Sequence, residues 1–215
     1  MHQVAYRLLG KEDALPEKQL RGIIKNIFDA LFTNGILSTY GLYQYGGNSY
    51  IYCELIENDN PIDMFELICN ENELGLNLSG KNSDMYQEII SGLEPMEQVF
   101  YFGKNSELLH NPERVATFMR VKKGKEEVYK QEHKNVWEPI LEGIDLAKIQ
   151  NYSIFMLSQN LFSFFEVEDL KFAMNYLAND KENQKWQHHM APLMDIGSGI
   201  EENKSVYMKE LDFRN

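Results

Sequence analysis

One stretch of this chain is written twice, and that limits what it can fold into more than any other feature. Residues 38–57, STYGLYQYGGNSYIYCELIE, lie over residues 150–168, QNYSIFMLSQNLFSFFEVE, at a displacement of 112. The displacement sets Tyr40 on Tyr152, Asn48 on Asn160 and Glu54 on Glu166. Both copies are aromatic and aliphatic runs broken by a short polar turn, YGGN in one and LSQN in the other, which is a β-hairpin signal. Self-similarity at a fixed spacing means one supersecondary unit used twice.

The flanks follow the same order in each half. HQVAYRLL and RVATFMRV predict opening strands. PEKQLRGIIKNIFDALFTNG predicts a helix, with Leu20, Ile23, Ile24, Ile27 and Leu31 near a 3.6-residue period, Pro16 in the first turn and Gly35 at the end. Residues 124–143 take this part in the second half and end near Gly143, with Pro139 expected to bend or break the helix. A second helical region follows each hairpin, at 61–93 and 169–194, and MEQVFYF and SVYMKEL supply closing strands. Each half therefore reads β-α-β-β-α-β, the ferredoxin-like pattern.

A four-stranded antiparallel sheet with helices on one face leaves its other face bare, and the alternation in SFFEVE makes that face apolar. The expected fold class is α+β: tandem ferredoxin-like repeats whose sheets cover each other as a single-chain dimeric α+β barrel. Residues 1–110 form a degenerate copy and residues 111–215 the copy carrying the chemistry, joined through the linker KNSELLHNPE at 104–113.

Charge narrows the partners. The net charge of −12 argues against a nucleic-acid backbone, which needs a basic face, and against an anionic membrane surface. A small neutral ligand fits better. No apolar run reaches the roughly 18 residues of a membrane span, and the first residues lack the pattern of a signal peptide. Cys53 and Cys69 form no CxxC pair, so neither a disulfide framework nor a cysteine zinc site is expected, and a reducing cytoplasm is the expected location.

Chemistry concentrates in VYKQEHKNVWEP, residues 128–139, where Tyr129, His133 and Trp137 recur at steps of four. On a helix the three line one side, and Tyr129 and His133 start about 6 Å apart along its axis. Tyr152 at the hairpin strand and Trp186 in ENQKWQHHM complete the candidate set. The plainer reading is an amphipathic core stripe, since Tyr and Trp are commonly buried with a satisfied polar tip. Under the 112-residue displacement, however, Tyr129 falls on Glu17, His133 on Arg21 and Trp137 on Lys25, so making the fold does not require the stripe. Gln187, His188 and His189 invite a metal reading, but adjacent helical residues diverge and no metal is expected. DIGSGIE, residues 195–201, lacks phosphate-loop or dinucleotide spacing and reads as a loop.

At these residues the second copy resembles the L-rhamnose mutarotase family over about residues 114–213. RVATFMRV, EEVYKQEHKNVWEPILEGI, IQNYSIFML, NLFSFFEVE and NQKWQHHMAPLM carry the resemblance. It implies paired β-α-β-β-α-β units that interconvert the anomers of deoxy-hexoses without a cofactor. It assigns the catalytic pair to Tyr129 and His133, and sugar contacts to Tyr152 and Trp186. Gln187 stands where the family carries a second tryptophan. The implied partner is a monosaccharide, and the implied assembly a monomer with pseudo-dimeric halves or a further homo-oligomer. Two readings stand beside it: a sugar-binding or interaction module without turnover, and an unrelated dimeric-barrel enzyme such as a cofactor-independent monooxygenase.

Overall fold

In the computed structural model, residues 2–9, 17–56, 83–103, 109, 111–195 and 206–214 are described. Pro16, Cys69, residues 61–82 of the first predicted second helix, most of the linker and all of DIGSGIE after Asp195 lie outside the described residues.

The elements run β1 (His2–Leu8), α1 (Glu17–Thr33), β2 (Leu37–Tyr45), β3 (Asn48–Leu55), α2 (Ser83–Ser91) and β4 (Leu93–Phe102). There follow β5 (Glu113–Arg120), α3 (Glu126–Lys134), α4 (Glu138–Leu146), β6 (Ile149–Leu157) and β7 (Asn160–Val167). The chain closes with α5 (Leu170–Asn179), α6 (Lys181–Met190), a short 3-10 turn (Ala191–Leu193), β8 (Val206–Tyr207) and β9 (Lys209–Arg214). β6 and β7 begin and end 112 residues after β2 and β3. The first hairpin turns on Gly46 and Gly47, both at positive φ (57° and 79°), as a tight hairpin whose backbone follows the strand twist requires.

The chain divides into two compact units, Met1–Met96 with Lys209–Asn215, and Glu97–Met208. In the first, the antiparallel order is β4 (to Met96), β1, β3, β2, β9. The predicted apolar stripe of α1 is its core: Ile23, Ile24, Ile27 and Leu31 are buried, with Leu42, Ile51 and Cys53 in the same cluster and Leu20 partly buried against it. In the second unit the order is β4 (from Glu97), β6, β7, β5, β8. Both orders contain the 4-1-3-2 arrangement of a ferredoxin-like unit, in keeping with the α+β class expected from the repeats.

One expectation, the interruption at Pro139, is met as a full break, and one further feature departs from the sequence reading. The helix expected over 124–143 is two helices, because Pro139 lacks an N–H and its ring would strike the carbonyl of residue 135 in a continuous helix. α3 ends before Asn135, Trp137 turns extended (φ −61°, ψ 133°), and Pro139 instead opens α4 from its first turn. Each closing strand also serves two ladders. β4 pairs with β1 up to Met96 and with β6 from Glu97; Val206 and Tyr207 pair with β5, and Lys209–Arg214 with β2. The outer edges of β2 and β6 thus keep their backbone groups paired, which satisfies N–H and C=O groups that a bare edge would leave open.

Candidate active site

The site lies within the second unit. α3 begins with Glu126 and Glu127 and ends with His133 and Lys134, a charge order that suits the helix dipole. Tyr129 and His133 are one turn apart, and their rings stack at 4.1 Å between centroids and 28° between planes. His133 Nδ1 lies 3.0 Å from the Tyr129 carbonyl oxygen. A carbonyl only accepts, so in the neutral ring Nδ1 donates and Nε2 keeps its lone pair. The backbone therefore sets the tautomer.

Tyr152 comes from β6, just after its opening residues. The register against β7 shifts between Gln150 and Ser153, and Asn151 stands at positive φ (50°) with its side-chain amide donating to Glu166 Oε2 at 2.8 Å. A bulge of this kind re-aims the side chain that follows it. Trp186 is buried on α6 and meets His133 edge-on at 5.8 Å. Phe100 of β4 stands edge-on to both His133 (5.8 Å) and Tyr152 (5.4 Å).

All four candidates, Tyr129, His133, Tyr152 and Trp186, border one cavity of about 570 Å³. Its walls are mostly aliphatic, with Ile140 and Ile144 from α4 and Ile154 from β6 among them. Trp137 stands apart from the lining: the break before Pro139 sets it behind Trp186, at 5.2 Å edge-on, and beside His189. His189 pairs in turn with Glu132 at 2.8 Å. Gln187 borders the cavity too, as do Phe100, Ser163, Asn183 and Tyr207, four residues the sequence reading did not single out. Asn183 and Gln187 fall three residues before and one after Trp186, so helical spacing on α6 could have found Asn183. Phe100 gave no local signal, because it belongs to the closing strand of the first copy.

Burial decides the protonation states. It pushes the His133 imidazole down to about 4, against smaller upward pulls from the Tyr129 carbonyl and Glu132. It pushes the Tyr129 phenol well above its ordinary value, helped by Tyr152. It raises Tyr152 to about 12, partly opposed by a hydrogen bond with Ser163. At neutral pH Tyr129 and Tyr152 therefore border the cavity as un-ionised phenols, and His133 as a neutral imidazole with a fixed acceptor nitrogen.

The first unit puts different chemistry at the same helical positions. Lys25, 112 residues before Trp137, pairs with Asp29 (3.2 Å) and with Asp212 of β9 (2.9 Å). Arg21, 112 residues before His133, donates to the Leu211 carbonyl. Tyr40, the counterpart of Tyr152, donates to Asp29 Oδ1 at 2.5 Å and accepts from Lys25 Nζ at 3.3 Å. Arg214 joins Asp29 at 2.8 Å. These groups fasten the last strand of their unit.

Comparison with known proteins bears on the same stretch. A family profile described as L-rhamnose mutarotase matches residues 114–212. The curated L-rhamnose mutarotase of Shouchella clausii is 38% identical over 89 residues, covering 40% of this chain and 85% of its own. That of Listeria monocytogenes is 38% identical over 84 residues, covering 38% of this chain and 80% of its own. A solved Fusobacterium nucleatum protein, provisionally named a monooxygenase, covers 99% of this chain and 93% of its own with a TM-score of 0.52. It is 14% identical, so the likeness speaks to the fold alone. No described helix is long and apolar enough to cross a membrane.

Proposed function

Because this chain belongs to the L-rhamnose mutarotase family through its second half, we propose that it interconverts the anomers of a deoxy-hexose pyranose such as L-rhamnose. In this reading His133 is the base, Tyr129 the acid, and Tyr152 and Trp186 hold the ring. The observation that carries it is the convergence of these four side chains, from α3, β6 and α6, on one cavity.

Ring opening moves two protons. Nε2 of His133 takes the proton of the anomeric hydroxyl, the C1–O5 bond breaks as the C1 carbonyl forms, and Tyr129 delivers a proton to O5. The aldehyde then turns about C1–C2 and closes on its other face, with each proton retracing its path. The protons and electrons balance within this cycle, so the scheme calls for no cofactor. Burial disfavours imidazolium and phenolate separately, yet opening creates them as a pair on rings already stacked at 4.1 Å. Their attraction in a low-dielectric site offsets much of that cost and favours concerted transfer. Acid–base assistance of this type contributes roughly 10²–10⁴-fold. A cavity of about 570 Å³ leaves an opened sugar room to rotate while the indole of Trp186 covers one face of the remaining carbons.

The two-copy arrangement is read as a tandem repeat in which the first copy keeps the fold and has exchanged the site for ion pairs. Saturation-transfer NMR between the anomers of L-rhamnose, then L-fucose and other hexoses, tests the activity with wild type and His133→Ala. Exchange accelerated by wild type and lost in the variant is the expected result. Binding without acceleration for every sugar would reduce the protein to a sugar-binding module.

A further inference from the structure

On the cavity side of α6, Asn183, Trp186, Gln187 and Met190 follow the spacing i, i+3, i+4, i+7, and all four border the cavity. Asn183 differs from the others in how firmly it is held. Its backbone N–H donates to the side chain of Asp180, the N-cap of α6, at 2.6 Å. Its side-chain Nδ2 donates to the Leu177 carbonyl, back on α5, at 2.7 Å. A carbonyl accepts and cannot donate, so the amide orientation is fixed by its partner, and Oδ1 is the acceptor that the side chain has left to offer. In a cavity with mostly aliphatic walls, an acceptor fixed in place before the ligand arrives costs little to organise on binding.

Taking the mutarotase reading as its premise, we propose that Asn183 is a specificity residue whose Oδ1 accepts a hydrogen bond from one non-anomeric hydroxyl of the sugar. The helix that places Trp186 against the ring also reads the ring's hydroxyl pattern, and the α5–α6 junction, pinned through Asp180 and Leu177, sets the position of the reader. The anomeric centre belongs to Tyr129 and His133. The hydrogen bonds of Asn183 run to Asp180 and Leu177 and not to the stacked pair, so it selects the substrate rather than moving its protons.

The test compares L-rhamnose with its 2-, 3- and 4-monodeoxy analogues for wild type, Asn183→Leu and Asn183→Asp, by anomer-exchange NMR, with thermal unfolding to confirm the fold. One neutral hydrogen bond predicts that wild type loses roughly 3- to 10-fold in kcat/KM on one analogue. Asn183→Leu loses the same factor on L-rhamnose and nothing further on that analogue. Asn183→Asp keeps an acceptor oxygen but loses the amide donor to Leu177 that fixes it, so its discrimination falls below that of wild type even where the fold is kept. Equal losses by wild type and Asn183→Leu on every analogue overturn the assignment, and an Asn183→Asp that discriminates as well as wild type overturns the pinning by Leu177. Where wild type exchanges no sugar, the same series is read by tryptophan fluorescence on sugar titration. Binding without exchange sinks the mutarotase reading alone, and the analogue series then decides Asn183. No binding by any sugar sinks both.

Discussion

Lowering the pH from 7 to 5 should destabilise the second unit through His133, by an amount that the burial of one imidazole sets. The ordinary value of 6.5 applies to the unfolded chain, and burial brings the folded value down to about 4. Between these values the unfolded state binds more protons, so stability rises with pH there. The contribution is fully present above the unfolded value and is lost as pH falls toward the folded one. At pH 5 protonation favours the unfolded chain by about 2 kcal/mol, while the folded state gains almost nothing. Carboxylates titrate in the same range, so the informative quantity is a difference between proteins. Urea unfolding followed by tryptophan fluorescence, at both pH values, reports on the second unit, because Trp137 and Trp186 both lie in it. Wild type should lose about 2 kcal/mol more than His133→Asn, which keeps a donor for the Tyr129 carbonyl but does not titrate. Losses that agree within about 0.5 kcal/mol would refute the reasoning, since that is the ordinary scatter of additive effects. An NMR titration placing His133 near 6.5 would refute it directly.

Further outcomes follow from the same geometry. Tyr129→Phe keeps the ring stack on His133 and removes the donor, so kcat for anomer exchange should fall roughly 10²–10⁴-fold with little change in KM. An unchanged kcat would transfer the acid role elsewhere. Trp186→Ala removes a buried indole and should cost about 3–5 kcal/mol in urea unfolding as well as raising KM; a loss below about 1 kcal/mol would mean the site collapses around the gap. Asp180→Ala removes the N-cap of α6 and should cost about 1 kcal/mol, read by thermal unfolding. No shift there would show that the Asn183 amide bond to Leu177 suffices to hold the α5–α6 junction.

The parts of the molecule that were legible in the sequence are those fixed by local chemistry. The hairpins sit 112 residues apart to the residue, because strand alternation and a turn between two runs determine their bounds within a few residues of chain. Tyr129 and His133 meet because four residues make nearly one helical turn, which no distant contact needs to enforce. Trp137 shows where that logic stops. Its spacing continued the stripe, but Pro139 ends the helix before the second step is complete, and the indole packs edge-on against Trp186. Phe100 shows the other limit: its place beside His133 depends on which strand β4 pairs with after Met96, a long-range choice with no trace in the surrounding residues.

The two copies put different side chains at the same helical positions. The helix of each copy presents the same positions, and a packing role would demand apolar side chains at both. In the first unit Arg21 and Lys25 occupy them and bind Leu211 and Asp212 of β9, so these positions there secure the end of the chain. In the second unit His133 occupies the position of Arg21 and borders a cavity. Ile23, Ile27 and Leu31 of α1 are buried in the core of the first unit, and Tyr129 of α3 with Ile140 and Ile144 of α4 in that of the second. Tyr129 therefore packs in the core as well as bordering the cavity, and on the proposed mechanism the shifted ionisation of the buried phenol and imidazole is of the kind that functional sites show.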